Sequence, residues 1–233
     1  MSNPASKYKV DPDTLVTFLV EDRSSKISDW GLGNSKIGPG IYTYSKLPGR
    51  VAGSCPGSSG ECELICYAKR LIKNKPVWSM WEKNTERGDE LPPLPADATI
   101  VRIHVSGDFD TVGYIQSWID LATNRPDVVF FGYTRSWRVP ELLPKLEEFG
   151  ALQNVHLWAS MDKTIKELPP KHWRKAWIEG DERLTKEEGR KTLTTIEGVK
   201  AIVCPEEAGL VKDCETCGYC FEKTKGDLVF LEH

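Results

Sequence analysis

The chain has no cysteine between Cys66 and Cys204, no long apolar run and no excess of positive charge. Its longest apolar stretches, TLVTFLV and VVFFGY, fall well short of the ~20 residues that a membrane-spanning helix needs. The opening MSNPASKYKVDPD lacks the charged-then-apolar pattern of a secretory leader, so a cytoplasmic protein with no membrane partner is expected. A formal net charge of -3 gives none of the basic field that draws polyanions, which disfavours nucleic acid as a partner. No internal repeat and no long low-complexity segment interrupts the chain. Its 233 residues suffice for one sizeable core, and a single domain over residues 1–233 is expected.

What is present is two knots of cysteine. GSCPGSSGECELICYAKR carries Cys55, Cys62 and Cys66, and CPEEAGLVKDCETCGYC carries Cys204, Cys214, Cys217 and Cys220. Seven is odd, and the cytosol is reducing, so complete disulfide pairing within the chain is excluded. Buried free thiols would be scattered along core elements like other small apolar residues. These are clustered among turn formers, which points to metal ligation.

The middle of the chain alternates two periods. ATIVRIHVSGDF, PDVVFFGYTRS, NVHLWASMDK and GVKAIVCPEE are short apolar runs that end in polar turns, as strands buried on both faces do. TVGYIQSWIDLATNRP places Val112, Ile115, Trp118, Ile119 and Ala122 at helical spacing, and VPELLPKLEEFGAL is also helical in pattern. Val101 lies 27 residues before Val128, which lies 27 before Val155. IGPGIYTYSKL reads as a first strand, CYAKRLIKNKPVWSMWEKNTERG as a first long helix, and DLVFLE as a short last strand. The stretch from about residue 161 to 199 reads as a longer crossover with two outer helices, PPKHWRKAWIEG and DERLTKEEGRKT. The expectation is an α/β fold, an incomplete parallel (βα) barrel of five to six units. Its core would span residues 34–203, with a cysteine-rich metal-binding segment at 204–221. Parallel folds gather their loops at the C-terminal strand ends, which would bring the early cysteines, SGDFD, YTRS, ASMDK and Cys204 to one face.

The late run, Cys-x-x-Cys-x-x-Cys with a remote Cys-Pro, resembles the wrapping of a [4Fe–4S] cluster more than the paired knuckles of a zinc site. Zinc remains the alternative metal. The three early thiols would leave one iron of a cubane open, or Cys204 would complete the set, so one or two clusters are possible. Among the other candidates, Asp108 is favoured over Asp110 for chemistry, one of the two capping the next helix. Arg135 could hold a carboxylate or phosphate, and Tyr133 and Trp137 read as core lids. His104 and His156 read as buried strand histidines, and Ser160 as a possible polar contact for a ligand. The eight tryptophans read as helix packing, not as a stacking platform.

The three cysteines after a first strand, with SGDF after the second, resemble the radical S-adenosylmethionine (SAM) superfamily. That resemblance implies a partial βα barrel and an early cluster whose free iron binds SAM. It implies that Ser106, Gly107 and Asp108 contact the cofactor's amino group. Beside that, Asp108 and Arg135 are the catalytic candidates, and Ser160 could touch a ribose or a substrate polar group. An electron donor and a small-molecule substrate would follow. The spacing here, Cys55-x6-Cys62-x3-Cys66, differs from that superfamily's usual Cys-x3-Cys-x2-Cys. NSKIG, SCPG, CYA, SGDF, YTRS and the terminal C-x-x-C-G-x-C more closely resemble an uncharacterised family of phage-encoded proteins, over about residues 34–221. That resemblance implies a mobile-element origin and leaves open a non-catalytic iron–sulfur or zinc protein that binds a host protein.

Overall fold

The computed structural model describes residues 28–50, 53–186, 192–222 and 226–231. The apolar run at 14–20 lies outside them. In chain order the elements begin with β1 (Gly31–Leu32) and β2 (Ile41–Tyr44), then three short helices, α1 (Gly60–Ile65), α2 (Tyr67–Arg70) and α3 (Lys75–Glu86). β3 (Ile100–Ile103), α4 (Val112–Asn124), β4 (Val129–Thr134), α5 (Leu143–Gly150) and β5 (Val155–Ser160) follow. β6 (Arg174–Ile178), β7 (Leu184–Lys186), β8 (Thr192–Thr195), β9 (Lys200–Val203), α6 (Cys214–Cys217) and β10 (Asp227–Phe230) complete the list.

The strands form one ten-stranded sheet in the order β1-β2-β3-β4-β5-β6-β10-β9-β8-β7. From β2 to β9 every neighbouring pair is parallel, while β1 and the β7–β8 hairpin add antiparallel edges. The parallel βα series is therefore as expected over β2 to β5, but the sheet is open and does not close into a barrel. Among the described residues, helices form the crossovers from β2 to β5, and the four-residue α6 lies in the crossover from β9 to β10. The residues before β6 carry no helix.

Three expectations fail on local grounds. The segment at 174–178 is strand β6, not a helix. Trp173 and Trp177 are four residues apart, a spacing that serves both a helix face and alternate positions of a strand. The strand is pinned by buried Asp227, whose carboxylate accepts from Lys175 N (2.9 Å) and Trp177 Nε1 (3.0 Å). The charged run beginning at Arg183 contributes β7, not a helix. The supposed long helix after Cys66 breaks into α2, a 3-10 turn at Leu71–Lys73 and α3, with Pro76 in the first turn of α3.

Side chains alternate across the sheet. Val101, Ile103, Phe130, Val155, Ala159, Trp177, Ala201 and Val229 face α4 and α5 and form the main core. α4 starts where Thr111 Oγ1 accepts from Tyr114 N (2.9 Å), so Thr111, not Asp108 or Asp110, is its cap. Its buried stripe is Tyr114, Ile115, Trp118, Ile119 and Ala122, and Val112, expected inside, is exposed. Each such large side chain contributes about 1.5–3 kcal/mol on burial. Trp118 meets Trp30, Tyr44 and Phe130 edge-on, with ring centroids 5.7–6.2 Å away. Phe131, Tyr133, Trp158, Ala176, Leu228 and Phe230 point the other way, toward the cysteine-rich segment.

His104 does not sit inside β3 but one residue beyond it, at φ 60°. Its N–H still donates to Tyr44 O (2.8 Å), and its Nε2 lies 2.9 Å from the Tyr114 hydroxyl oxygen. Burial, helped by the charge of Lys46, pushes its pKa down to about 3. The folded protein therefore holds His104 neutral, while an unfolded chain takes up a proton below about pH 6.5. Its contribution to stability is present above that pH and is lost as pH falls toward 3. His104→Asn, which tolerates the left-handed backbone, should flatten this dependence. In pH-resolved urea unfolding, the wild type should lose up to about 1.4 kcal/mol per pH unit relative to the variant in that window. Parallel pH profiles would show that His104 is not held neutral.

Candidate metal centre

The early cysteines are set by a loop that β2 delivers beside the turns after β3 and β4. Cys55 N donates to Gly49 O (3.0 Å), and Gly49 N returns a bond to Cys55 Sγ (3.4 Å). Cys62 lies in the first turn of α1, where its N–H is capped by Ser59 Oγ (3.0 Å). Ser59 in turn donates to buried Asp162 (2.6 Å). Arg135 joins the parts: Nη1 donates to Cys62 Sγ (3.2 Å) and Nη2 pairs with Asp162 (3.2 Å). Burial works against the Asp162 charge, but bonds from Ser59 and Thr164 and the nearby guanidinium hold its pKa below the usual range.

Asp108 is buried, with its carboxylate accepting from Phe109 N and Arg135 N, both at 2.8 Å. Burial outweighs those bonds and pushes its pKa up to about 6. Its carboxylate stands within electrostatic reach of Cys55 and Cys62. Gly107 has φ +83°, and a Cβ there would meet Ser54 and Lys46, so the close approach it permits is to the chain's own cysteine loop. Ser106 Oγ is buried without a partner among the described residues. Ser160 ends β5, half-buried. Asp110 pairs with Lys46 (3.0 Å), a buried lysine that also donates to Gly88 O and lies over the Tyr114 ring.

The late cysteines lie on the sheet face opposite α4 and α5. Cys204 follows β9, its N–H donating to Val229 O (2.8 Å). α6 is capped by Asp213 and closed by Gly218 in a left-handed turn at φ 71°. It docks on the β1–β2 connection through Cys214 N to Lys36 O and Glu215 N to Ile37 O, both 3.0 Å. Beyond it, Trp158 Nε1 donates to Cys220 O (2.9 Å), Tyr133 Oη to Cys220 Sγ (2.7 Å), and Arg174 Nη2 to Tyr219 O (2.9 Å). Tyr133, expected as a core lid, thus bonds a thiol.

All seven thiols are free. They fall into two sets: Cys55 has Cys62 and Cys66 as its thiol neighbours, whereas Cys214 has Cys204 and Cys217, and Cys220 has Cys204 and Cys214. Burial pushes Cys55 and Cys220 up to about 12 and Cys214 up to about 11, and raises Cys62 and Cys204. A metal would have to displace those protons. Among the described residues, no three His, Cys, Asp or Glu side chains converge as a single ion requires. A cubane takes each thiolate on its own iron corner, so its ligands stand wider apart than those of one ion. The donor set fits thiolate chemistry, since the sulfurs of Cys55, Cys62 and Cys220 each accept a hydrogen bond, the contact that stabilises sulfur bound to metal. The further fit is Arg102, which carries a buried Nε without a partner beside Cys214 and Cys220.

Residues 22–223 match the model of the Gene product 88 family. The chain belongs to that family. Among its relatives is a Gene 88 protein of Mycobacterium phage L5, 27% identical over 219 residues, covering 81% of this chain and 85% of the relative. The Gene 88 protein of Mycobacterium phage D29 is likewise 27% identical, over 228 residues, covering 84% of this chain and 89% of its own length. No solved structure matches. Among the described residues no helix is long and apolar enough to cross a membrane. The family match agrees with the phage resemblance carried by the cysteine, SGDF and YTRS motifs.

Sequence alone missed Arg102 and Asp162. The acid in ASMDK, just past a strand end, was the available signal for Asp162, and a charged residue inside the IVRI run was the signal for Arg102. A Cβ at Gly57 would collide with the Arg135 carbonyl. Gly57→Ala should therefore push the cysteine loop off Arg135 and cost about 1–3 kcal/mol in denaturant unfolding. Unchanged stability would mean that this contact does not hold the loop.

Proposed function

We propose that this protein is an iron–sulfur protein and a radical-SAM-like enzyme. In this reading Cys55, Cys62 and Cys66 hold a [4Fe–4S] cluster, and Cys204, Cys214, Cys217 and Cys220 hold a second. The supporting observation is the gathering of three thiols at the C-terminal end of the first parallel strand, against the 106–108 turn from the next. Three ligands leave one coordination position open, which separates a working centre from a structural one. When bound, the early cluster would hold SAM at its open iron and supply it with one electron. The partial-barrel relationship to that superfamily belongs to this proposal, resting on the parallel order from β2 to β6.

The chain's own residues would position and shield the centre. Arg135 fixes Cys62 and, through Asp162 and Ser59, the start of α1. Asp108, held by two backbone N–H groups, places a carboxylate near the early thiols. Ser106, whose hydroxyl is buried and unpaired, is free to bond a ligand's polar group. A small-molecule substrate and an electron-donor protein are the implied partners. The four late thiols alone could fully ligate a metal, which favours a second reading of that group as a structural iron–sulfur or zinc site.

Anaerobic purification with iron and sulfide counts, followed by EPR of the reduced protein with and without SAM, tests the proposal. About eight irons per chain and a spectrum altered by SAM are expected for two cubanes. Cys62→Ala, folded, should lose SAM cleavage. Zinc in place of iron, or a spectrum indifferent to SAM, would leave the structural reading in possession of both groups.

A further inference from the structure

Among the described residues, the other half-buried arginines meet acceptors. Arg135 pairs with Asp162, Arg183 with Asp181, Arg87 with Asp29, and Arg174 donates to the carbonyls of Tyr219 and Glu222. Arg102 does not. It sits in β3 between the buried Val101 and Ile103, on the face opposite their side chains. Among the described residues it makes no ion pair and no hydrogen bond, and its Nε is buried without a partner. Its guanidinium carbon lies 5.6 Å from the centre of the Tyr133 ring. Tyr67, Tyr133, Cys214 and Cys220 stand within electrostatic reach of it. Tyr133 in turn donates to Cys220 Sγ (2.7 Å), so this half-buried cation stands beside the late thiols.

We propose that Arg102 is the counter-charge of a metal group held by Cys204, Cys214, Cys217 and Cys220, and that it governs that group's retention and reduction potential. The inference rests on the reading of these four cysteines as ligands. Four thiolates outweigh the positive charge of either one zinc ion or a cubane core, so the loaded site is anionic whichever metal it takes. A fixed cation beside it stabilises that anion, and for iron it favours the more negative reduced state, raising the potential. Tyr67, which follows Cys66, is also a neighbour of Arg102, so the same charge stands between the two cysteine groups.

The test uses the full chain, purified anaerobically, with metal and sulfide counted before and after a chelator challenge. Cys214→Ser marks how much metal belongs to the late site. Arg102→Leu should weaken retention of that metal about 10- to 100-fold, as loss of a supporting group around a centre does. Arg102→Lys should largely restore it. In the metal-free state Arg102→Leu should melt close to the wild type, because among the described residues Arg102 has no ion pair or hydrogen bond to lose. A residue that merely supported the fold would lower stability with and without metal. If iron is present, EPR-monitored titration should give a lower late-site potential in Arg102→Gln. Unchanged retention and potential in a folded Arg102→Leu protein would overturn the proposal. A wild-type protein free of metal, with all seven thiols open to alkylation, would instead overturn the ligand assignment, and this proposal with it.

Discussion

A parallel sheet has two apolar faces, and both need cover. Here α4 and α5 shield one face with a conventional helical layer around Trp118 and Phe149. The other is covered by a segment with only one short helix, which has few apolar side chains of its own to bury. What holds it down is polar: the indole of Trp158, the hydroxyl of Tyr133 and the guanidinium of Arg174 each reach up from a strand to grip it. Arg174 lies flat on Trp158, 3.5 Å from the ring centre, so the grip is itself braced. Cover and candidate centre are the same piece of chain, and whatever binds the late thiols also closes the sheet.

The early cysteines depend on a different joint. Arg135 stands at the end of β4, with its backbone N–H on Asp108, one side-chain nitrogen on Cys62 and another on Asp162. Three loops that are distant in sequence are tied through one residue. Gly57 presses so closely on the carbonyl of Arg135 that no side chain fits between them. The geometry around these thiols is therefore a property of the assembled strand ends, not of the cysteine loop alone.

The alternation of period two and period 3.6 made β3, α4, β4, α5 and β5 legible, because each run is long and bounded by a clear breaker. β6 was hidden by the ambiguity of a four-residue spacing, and its anchor, Asp227, is fifty positions away in sequence. The candidate thiols were legible from clustering alone, but whether Cys204 lies with the early or the late group was not. Asp108 stood out as an acid after a strand, yet its bonds to Phe109 and Arg135 depend on a backbone path that spacing does not reveal. Arg102 went unmarked, because the thiols near it lie far along the chain and no spacing links them.

The position of β10 has a consequence for the order of events during synthesis. It follows all seven cysteines in the chain, yet it lies between β6 and β9. Until Leu228 and Val229 arrive, β1 to β6 and β7 to β9 are two separate half-sheets with exposed inner edges. The thiols are all exported from the ribosome before the surface they rest on is whole. Folding of the cysteine-rich cover and joining of the two halves are thus coupled steps, and a cover that closed first would leave the central strand to thread beneath it.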